Sequence, residues 1–291
     1  MAGRAFTEPR VDVVVVTYKS GDVLEGFLDS VGESPEMASV TVVDSASGDR
    51  SAETIAKRRR ARFIGLADNR GYGAAANAGA ASGSAPWIAL CNPDIVFSPG
   101  AIETLVEAGG ESEDIGAVGP LIRDEGGEIY PSARPLPSLG MGIGHATLGR
   151  IWTRNPWTRR YRRGLDPEAG PVDVGWLSGS CLVARRTAFE DVGGFDEGFF
   201  MFMEDVDLGR RLGEAGYRSR WVPDASVVHT GGHSWKSDPE PMIRAHHASV
   251  GRYLSLVYPG PLYAPFRCVA RAGLRIREAA EVAASRRAEA D

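Results

Sequence analysis

Cysteine is scarce in this sequence, and no two cysteines have the spacing of a metal site. The 291 residues contain three cysteines, Cys91, Cys181 and Cys268, which lie far apart in the chain. An odd number of isolated cysteines argues against a disulfide framework and against a structural zinc site. We therefore expect a protein of the reducing cytoplasm.

Long apolar runs and an excess of positive charge are also missing. No segment approaches the roughly 18 apolar residues of a membrane-spanning helix, and the first ten residues, MAGRAFTEPR, lack the apolar stretch of a signal peptide. The net charge of −5 disfavours nucleic acid as a partner. We expect a protein that is soluble or bound peripherally to a membrane.

Short apolar runs alternate with helical patterns through the first 120 residues. Val11–Thr17, VDVVVVT, is rich in β-branched residues, which is typical of a strand buried on both faces. Further strands are predicted at residues 40–43, 62–66, 86–91 and 115–118, with helices at 20–31, 51–60, 72–81 and 101–108. This alternation predicts an α/β fold with a doubly wound, mostly parallel sheet.

Beyond Pro120 the alternation stops. Residues 174–183, VGWLSGSCLV, indicate a strand broken by Gly179, where the backbone approaches another group or simply packs tightly. Residues 218–222 and 226–229 are predicted as two short strands, and residues from 239 onward as helices.

Four polar loops follow predicted strands. Because the carboxyl ends of parallel strands share one edge of a sheet, ligands collect there. Each loop also has a purely structural explanation, as an Asx turn with a helix cap, a glycine turn or a proline turn. Together they predict a binding site. The loops are Thr17-Tyr18, Asp44-Ser45, Asp68-Asn69-Arg70-Gly71 and Asn92-Pro93-Asp94.

Three acids open a predicted helix within residues 199–212, FFMFMEDVDLGRRL. Glu204, Asp205 and Asp207 suit the positive end of the helix dipole, which by itself explains them. The apolar residues before them would also desolvate a carboxylate and raise its proton affinity toward that of a general base. Glu204 and Asp205 diverge by roughly 100° on a helix, so one would take a proton while the other orients a hydroxyl.

Positive charge is concentrated in two segments. Residues 150–163 contain six arginines and no acid, and residues 244–291 contain eight arginines and four acids. Three of these, Arg267, Arg271 and Arg275, repeat every four residues on a predicted helix. Such segments are either solvated surface or contacts for phosphates and an anionic membrane surface.

In this order, the motifs resemble those of family 2 of the inverting glycosyltransferases, which have the GT-A fold. The motifs are VVVVTY, VVDSASGD, NRGYGAAANAG, NPD, SGSCLVARR, GGFDEGFFMFMEDVDLGRRL and HTGGHSW, spanning roughly residues 11–235. The segments PLIRDEGGEIYPSARPLPSL, HATLGRIWTRNPWTRRYR and VGWLSGSCL narrow the resemblance to the actinobacterial rhamnosyltransferases of cell-wall linker synthesis.

The resemblance implies an activity and a domain plan. The activity is transfer of L-rhamnose from dTDP-rhamnose to decaprenyl-diphosphate-linked N-acetylglucosamine, at the inner face of the plasma membrane. The plan is a GT-A domain over residues 1–238, with a donor half of about 1–120 and an acceptor half of about 121–238. Residues 239–291 would form a helical, membrane-associating segment.

The resemblance also assigns roles to residues. Asp205 is the expected catalytic base, and Glu204, Trp176, Ser178 and Gly179 are expected to face the acceptor. Asp94 and His229 are expected to hold Mg²⁺ or Mn²⁺ at the donor diphosphate. Asn92 stands where the family keeps an aspartate, and an amide is a weaker ligand for a hard cation. His229 is alternatively a buried histidine bonded to backbone. The expected donor-binding residues are Thr17, Tyr18, Asp44, Asp68, Asn69, Arg70, Gly71, Asn92 and Asp94.

Other functions remain open at this point. A transferase of the same fold could use UDP-hexose or UDP-galactofuranose, and a non-catalytic protein could bind nucleotide sugars. A sugar-nucleotide pyrophosphorylase would carry a glycine-rich basic loop after the first strand, where VTYKSGD offers only Lys19 and Gly21. The sequence does not predict an oligomeric state.

Overall fold

The computed structural model describes residues 10–32, 34–137, 166–231 and 239–288. The arginine-rich segment 150–163 lies outside the described residues. The strands are β1 (Val11–Thr17), β2 (Met37–Asp44), β3 (Arg62–Gly65), β4 (Trp87–Cys91), β5 (Ile95–Phe97), β6 (Ile115–Arg123), β7 (Ile129–Tyr130), β8 (Ala133–Arg134), β9 (Val172–Val174), β10 (Trp176–Leu177), β11 (Cys181–Arg185) and β12 (Arg218–His229). The helices are α1 (Gly21–Val31), α2 (Ser51–Arg58), α3 (Tyr72–Ala80), α4 (Ala101–Gly110), α5 (Arg186–Asp191), α6 (Glu204–Glu214), α7 (Pro239–Val257) and α8 (Ala264–Ala288).

A mixed sheet forms the centre of the structure. Its strand order is β3-β2-β1-β4-β11-β6-β12-β5, with β7 beside β6 and β9 beside β12. Strands β3, β2, β1 and β4 run parallel to their neighbours in this group, and β11 lies antiparallel between β4 and β6. The predicted mostly parallel α/β sheet is confirmed.

Strand β1 explains why its sequence is apolar at nearly every position. Val11, Val13 and Val15 belong to one core cluster, which includes residues of α1, α2 and α4. Val14 and Val16 belong to a second cluster, which includes residues of α3, α5 and α6. Helices therefore cover both faces of the sheet, and burying each valine contributes about 1.5–3 kcal/mol relative to exposure.

Two segments differ from their predicted form. Residues 174–183 form parts of three short strands, because the chain breaks at Gly175 as well as at Gly179. Backbone of Leu136 lies too close to Gly175 for any side chain to fit there. The two strands predicted at 218–222 and 226–229 are one strand, β12, whose register against β6 shifts around Pro223 because proline cannot donate a ladder hydrogen bond.

Helix α7 packs on α8 and braces the loop that precedes α6. The Arg252 guanidinium donates to both carboxylate oxygens of Asp196, at 2.8 and 2.7 Å. Tyr253 is buried in a small cluster with Phe199 and Val206. Helix α7 therefore contacts the residues at the start of α6. The domain boundary at residue 238 remains a prediction.

Candidate active site

The acids at the start of α6 follow a strained turn. Phe202 and Met203 have φ angles of 68° and 66°, in the left-handed region that large side chains rarely adopt. Such strain costs roughly 1–3 kcal/mol per residue and occurs most often at functional sites. Helix α7 holds the turn, since the Ser249 hydroxyl donates to the Met201 carbonyl at 2.7 Å and the His246 ring packs against Phe202.

Glu204 and Asp205 have different surroundings. Glu204 is 6 % exposed, and its Oε2 is buried without a hydrogen-bond partner among the described residues. Asp205 accepts hydrogen bonds from the backbone N–H groups of Gly179, at 3.0 Å, and Val206, at 2.8 Å. Asp205 therefore has the donors that stabilise a carboxylate anion.

Burial raises the pKa of both carboxyl groups. For Asp205, the N–H donors of Gly179 and Val206 oppose this rise in pKa. For Glu204, the negative charge of Asp205 adds to burial and raises the pKa to about 8. At neutral pH we expect the pair to hold one charge, on Asp205. A carboxylate with raised proton affinity suits general-base catalysis near neutral pH.

The third acid of the segment has a structural role. Asp207 is fully buried and forms ion pairs with Arg210, at 2.7 Å, and Arg211, at 2.6 Å, on the same helix. Its carboxylate is therefore neutralised within α6 and is not available to a substrate.

Asp94 and His229 lie side by side at the ends of adjacent strands. His229 Nε2 is 3.1 Å from Asp94 Oδ1, and the Thr230 N–H donates to the Asp94 carbonyl at 2.9 Å. Asp94 Oδ1 is buried and accepts no hydrogen bond from the described residues. Within the described ranges, no third His, Cys, Asp or Glu completes a group around them.

This pair fits a cation held jointly with substrate. Mg²⁺ is commonly bound through one or two carboxylates together with phosphate oxygens and water. Asp94 Oδ1, which accepts no hydrogen bond from the described residues, offers one such oxygen ligand, and His229 Nε2 offers a nitrogen ligand beside it. Asp94 and His229 are therefore the residues that could hold a divalent cation.

Hydrogen bonds and a shared aromatic neighbour connect the Asp94 region with Asp205. The Asn92 N–H donates to the Ser180 carbonyl at 2.9 Å, and Ser180 follows the Gly179 that binds Asp205. The Tyr130 ring meets His229 edge-on, with 6.0 Å between centroids. Tyr130 is 45 % exposed, and its partial desolvation and then the charge of Asp205 raise its pKa. Asp205 and the Asp94–His229 pair therefore border one site.

Sequence reasoning missed Tyr130. Its strand, β7, has two residues, too few to show a period. A cavity of about 460 Å³ opens beside Tyr130 and His229, and Asp124 and Glu125 line it as well.

The ends of β1 and β2 supply buried hydroxyl groups. Thr17 Oγ1 and Ser45 Oγ are buried without hydrogen-bond partners among the described residues, and the Ser45 N–H donates to the Thr17 carbonyl at 2.9 Å. Asp44 accepts hydrogen bonds from the N–H and hydroxyl of Ser47, which is an Asx turn. Tyr18 is 41 % exposed. Ser45 lies in a loop that was predicted to border the site, but it was not itself assigned to donor binding, because a small serine in a polar loop carries no sign of burial.

The loop after β3 is both a glycine turn and the border of a second cavity. Asn69 Oδ1 accepts the Gly71 N–H at 3.0 Å, and Gly71 has a φ of 95°. Asp68 is exposed, and Arg70 pairs with Glu197 at 2.6 Å. Asp68 and Arg70 line a cavity of about 380 Å³. Because the Arg70–Glu197 pair is largely exposed, it is weak and can open to another anion.

The predicted acceptor residues lie around the start of α6. Trp176 is half-buried against the cluster of Phe199 and Val206. The Ser178 N–H donates to the Ser132 carbonyl at 2.7 Å, which fixes the start of the loop that contains Gly179. The structure therefore brings Trp176, Ser178 and Gly179 together beside Asp205.

Sequence profiles of known families match this chain. The profile "Glycosyl transferase family 2" matches residues 12–193, and "Glycosyl transferase family group 2" matches residues 169–244. The chain belongs to glycosyl transferase family 2. This glycosyltransferase is 45 % identical over 279 residues to the N-acetylglucosaminyl-diphospho-decaprenol L-rhamnosyltransferase of Mycobacterium tuberculosis, covering 91 % of this chain and 90 % of the relative.

Solved structures share the fold of this glycosyltransferase. GalNAc-T7 with UDP, GalNAc and Mn²⁺ aligns with a TM-score of 0.61 at 15 % identity, over 85 % of this chain and 48 % of that one. Mannosyltransferase PcManGT from Pyrobaculum calidifontis, with GDP-Man and Mn²⁺, aligns with a TM-score of 0.56 at 18 % identity, over 98 % and 81 %. The predicted GT-A fold and the predicted enzyme class are confirmed. The family assignment sets aside the pyrophosphorylase and the non-catalytic binding protein.

Proposed function

We propose that this glycosyltransferase moves L-rhamnose from dTDP-rhamnose to a polyprenyl-diphosphate-linked N-acetylglucosamine in cell-wall linker synthesis, with inversion of the anomeric carbon. Identity to the mycobacterial rhamnosyltransferase, 45 % over nearly the whole chain, supports this donor and acceptor. The observation that carries the mechanism is the half-buried Asp205 carboxylate, which accepts a hydrogen bond from the Gly179 N–H in the loop that contacts the Asp94 region.

Asp205 would act as the general base. A sugar hydroxyl is a poor nucleophile, and Asp205 would accept its proton as the oxygen attacks the anomeric carbon, contributing roughly 10²- to 10⁴-fold in rate. Neutral Glu204 would donate a hydrogen bond that orients the acceptor. Attack from the face opposite the leaving diphosphate inverts the anomeric carbon in one step and needs no second nucleophile.

Asp94 and His229 would hold Mg²⁺ or Mn²⁺ at the donor diphosphate. When bound, such a cation supplies positive charge that stabilises the departing diphosphate. The unsatisfied Asp94 Oδ1 beside His229 supports this assignment. Asp94→Ala is expected to remove the dependence of dTDP affinity on Mn²⁺, measured by calorimetry with and without EDTA. Equal Mn²⁺ dependence in wild type and variant would contradict the assignment.

The donor nucleotide would lie against the ends of β1 and β2. The hydroxyls of Thr17 and Ser45, which have no hydrogen-bond partner among the described residues, offer hydrogen bonds there. Asp44 shapes the adjoining turn, and Arg70 lies at the cavity beyond it, so both would border the nucleotide.

We also propose that the chain meets its lipid-linked acceptor at an anionic membrane surface. In the described part of the chain, no helix has the length and apolarity to cross a bilayer. Leu262 lies just before α8 and is 84 % exposed, and Val269 and Ile276, in the first half of α8, are 74 and 73 % exposed. Arg271 and Arg275 stand on the same helix, and such a basic amphipathic helix suits anionic lipid.

Liposome flotation tests the membrane proposal. Val269→Glu is expected to reduce salt-sensitive binding to anionic vesicles, because a charge replaces an apolar contact. Val172→Glu, at a valine 38 % exposed on β9, is the control and should bind like wild type. Binding that is absent in the wild type, or equal in both variants, would contradict the proposal.

The donor and acceptor are tested by direct assay. The purified protein is incubated with a synthetic polyprenyl-diphosphate N-acetylglucosamine and Mn²⁺ or Mg²⁺, with dTDP-rhamnose, UDP-hexoses and UDP-galactofuranose in parallel. Rhamnosylated lipid by mass spectrometry is the expected product. Preferential transfer from a UDP-sugar would instead select the alternative donor.

A further inference from the structure

Two hydrogen bonds hold Gly179 from opposite sides. The Tyr72 hydroxyl donates to the Gly179 carbonyl at 2.6 Å, and the Gly179 N–H donates to Asp205 Oδ2 at 3.0 Å. A glycine has unusually free backbone torsions, so an unrestrained Gly179 would let its N–H turn away from the carboxylate. We propose that Tyr72 is a positioning residue, which fixes Gly179 so that its N–H remains on Asp205.

Tyr72 is itself held at a defined place. It is the first residue of α3, and its N–H donates to the Phe200 carbonyl at 3.1 Å, in the loop that leads to the catalytic acids. Its ring meets the Phe195 ring edge-on, with 5.7 Å between centroids. Preceding it, Gly71 approaches Phe200 so closely that no side chain fits. These contacts therefore fix the position of the Tyr72 ring, so that its hydroxyl lies at Gly179.

The remaining loop contacts support the same arrangement. Ser178 is held by its N–H bond to Ser132, and the Ser180 carbonyl accepts the Asn92 N–H. Between these two anchors, the Gly179 backbone forms hydrogen bonds with the side chains of Tyr72 and Asp205. Removing the phenol oxygen would release the middle of an otherwise fixed loop.

The chemistry around Tyr72 keeps it a hydrogen-bond donor. Burial, followed by nearby ionisable groups, raises the pKa of Tyr72 well above its ordinary value, so the phenol stays protonated across the working pH range. Burial raises the pKa of Asp205 while the Gly179 N–H lowers it, so a weakened Gly179 bond would raise the Asp205 pKa further. The titratable groups that face this pair are Glu204 on α6, Tyr130 on β7, Cys91 on β4 and Cys181 on β11.

The inference rests on the proposed role of Asp205 as base, and it predicts a specific change in the pH profile. A base must be deprotonated, so activity rises with pH through its pKa. In Tyr72→Phe, the acidic limb of kcat/KM is expected to move upward by about 0.5–1 pH unit. We expect kcat to fall about tenfold while the KM for the donor stays within about twofold. If Tyr72 were only structural, Tyr72→Phe would lower the thermal midpoint and leave the acidic limb of kcat/KM unchanged.

Transfer kinetics from about pH 5 to about pH 9 provide the test, with thermal midpoints measured in parallel. Tyr217→Phe is the matched control, since the Tyr217 hydroxyl donates to Asp191 at 2.6 Å at the far end of α6. It should keep the wild-type limb. If Tyr72→Phe is folded and its acidic limb of kcat/KM does not shift, the positioning role is overturned. Asp205→Asn separates the two claims: if it stays active, the base assignment fails; if it is inactive and Tyr72→Phe is unshifted, only the positioning role fails.

Discussion

Glutamine in place of Glu204 tests, through protein stability, whether the buried Glu204 carboxyl is protonated. The Glu204 side chain is 6 % exposed, and its Oε2 has no hydrogen-bond partner among the described residues. Its charged form is therefore disfavoured in the folded protein. The pKa of Glu204 rises from 4.5 to about 8, so between these values the folded protein keeps a proton that the unfolded chain releases.

The free energy of unfolding should therefore fall as pH rises through this window. One retained proton corresponds to about 1.4 kcal/mol per pH unit. The contribution of protonated Glu204 to the free energy of unfolding is present in full below pH 4.5 and is lost by about pH 8. The total loss is about 4–5 kcal/mol. Glutamine has nearly the same shape and no proton that titrates in this range. Glu204→Gln should therefore remove this dependence of the free energy of unfolding on pH.

Urea unfolding of wild type and Glu204→Gln at several pH values measures the effect. The variant should gain at least about 2 kcal/mol on the wild type between about pH 5 and about pH 8. Glu214→Gln is the control, on the same helix with a side chain 62 % exposed, and should follow the wild type within about 0.5 kcal/mol. Parallel wild-type and Glu204→Gln curves would refute a buried, protonated Glu204.

Three other substitutions separate structural from functional roles. Gly71→Ala should cost about 2–4 kcal/mol of stability by urea unfolding, because φ is 95° and Phe200 leaves no room; Gly100→Ala, at φ 78° in open space, should cost only about 1 kcal/mol. Thr17→Val should keep the thermal midpoint, because the hydroxyl it removes has no hydrogen-bond partner in the described part of the chain, yet weaken nucleotide binding about five- to tenfold by calorimetry; unchanged affinity would remove Thr17 from the donor site. Asp207→Asn should lower stability by about 3 kcal/mol without moving the acidic limb of activity, and a moved limb would give it a part in the chemistry.

Local patterns were enough to predict most of the fold. The β-branched run of β1 is buried on both faces, and its composition alone indicates this. Helix α6 was predicted because its acids and its apolar residues repeat at helical spacing. Strand β5 was missed because its three residues are too few to show a period. Strand β12 was divided in the prediction because Pro223 interrupts its apolar pattern without ending the strand.

The candidate site was predictable only in part, because its contacts join distant parts of the chain. The acids at 204 and 205 were identified from the apolar residues before them, which is a local signal. The bond from Tyr72 to Gly179 joins residues 107 positions apart, and it depends on the insertion of β11 beside β4. Tyr130 likewise reaches the site through the sheet order, which residue patterns do not encode.

The most direct test of the central claim is the single-turnover transfer rate of Asp205→Asn at saturating donor and acceptor. Asparagine keeps the size of the side chain but cannot accept the hydroxyl proton as a carboxylate does. The rate should fall roughly 10²- to 10⁴-fold while donor affinity stays within about twofold. A rate within a few fold of the wild type would show that another group takes the proton.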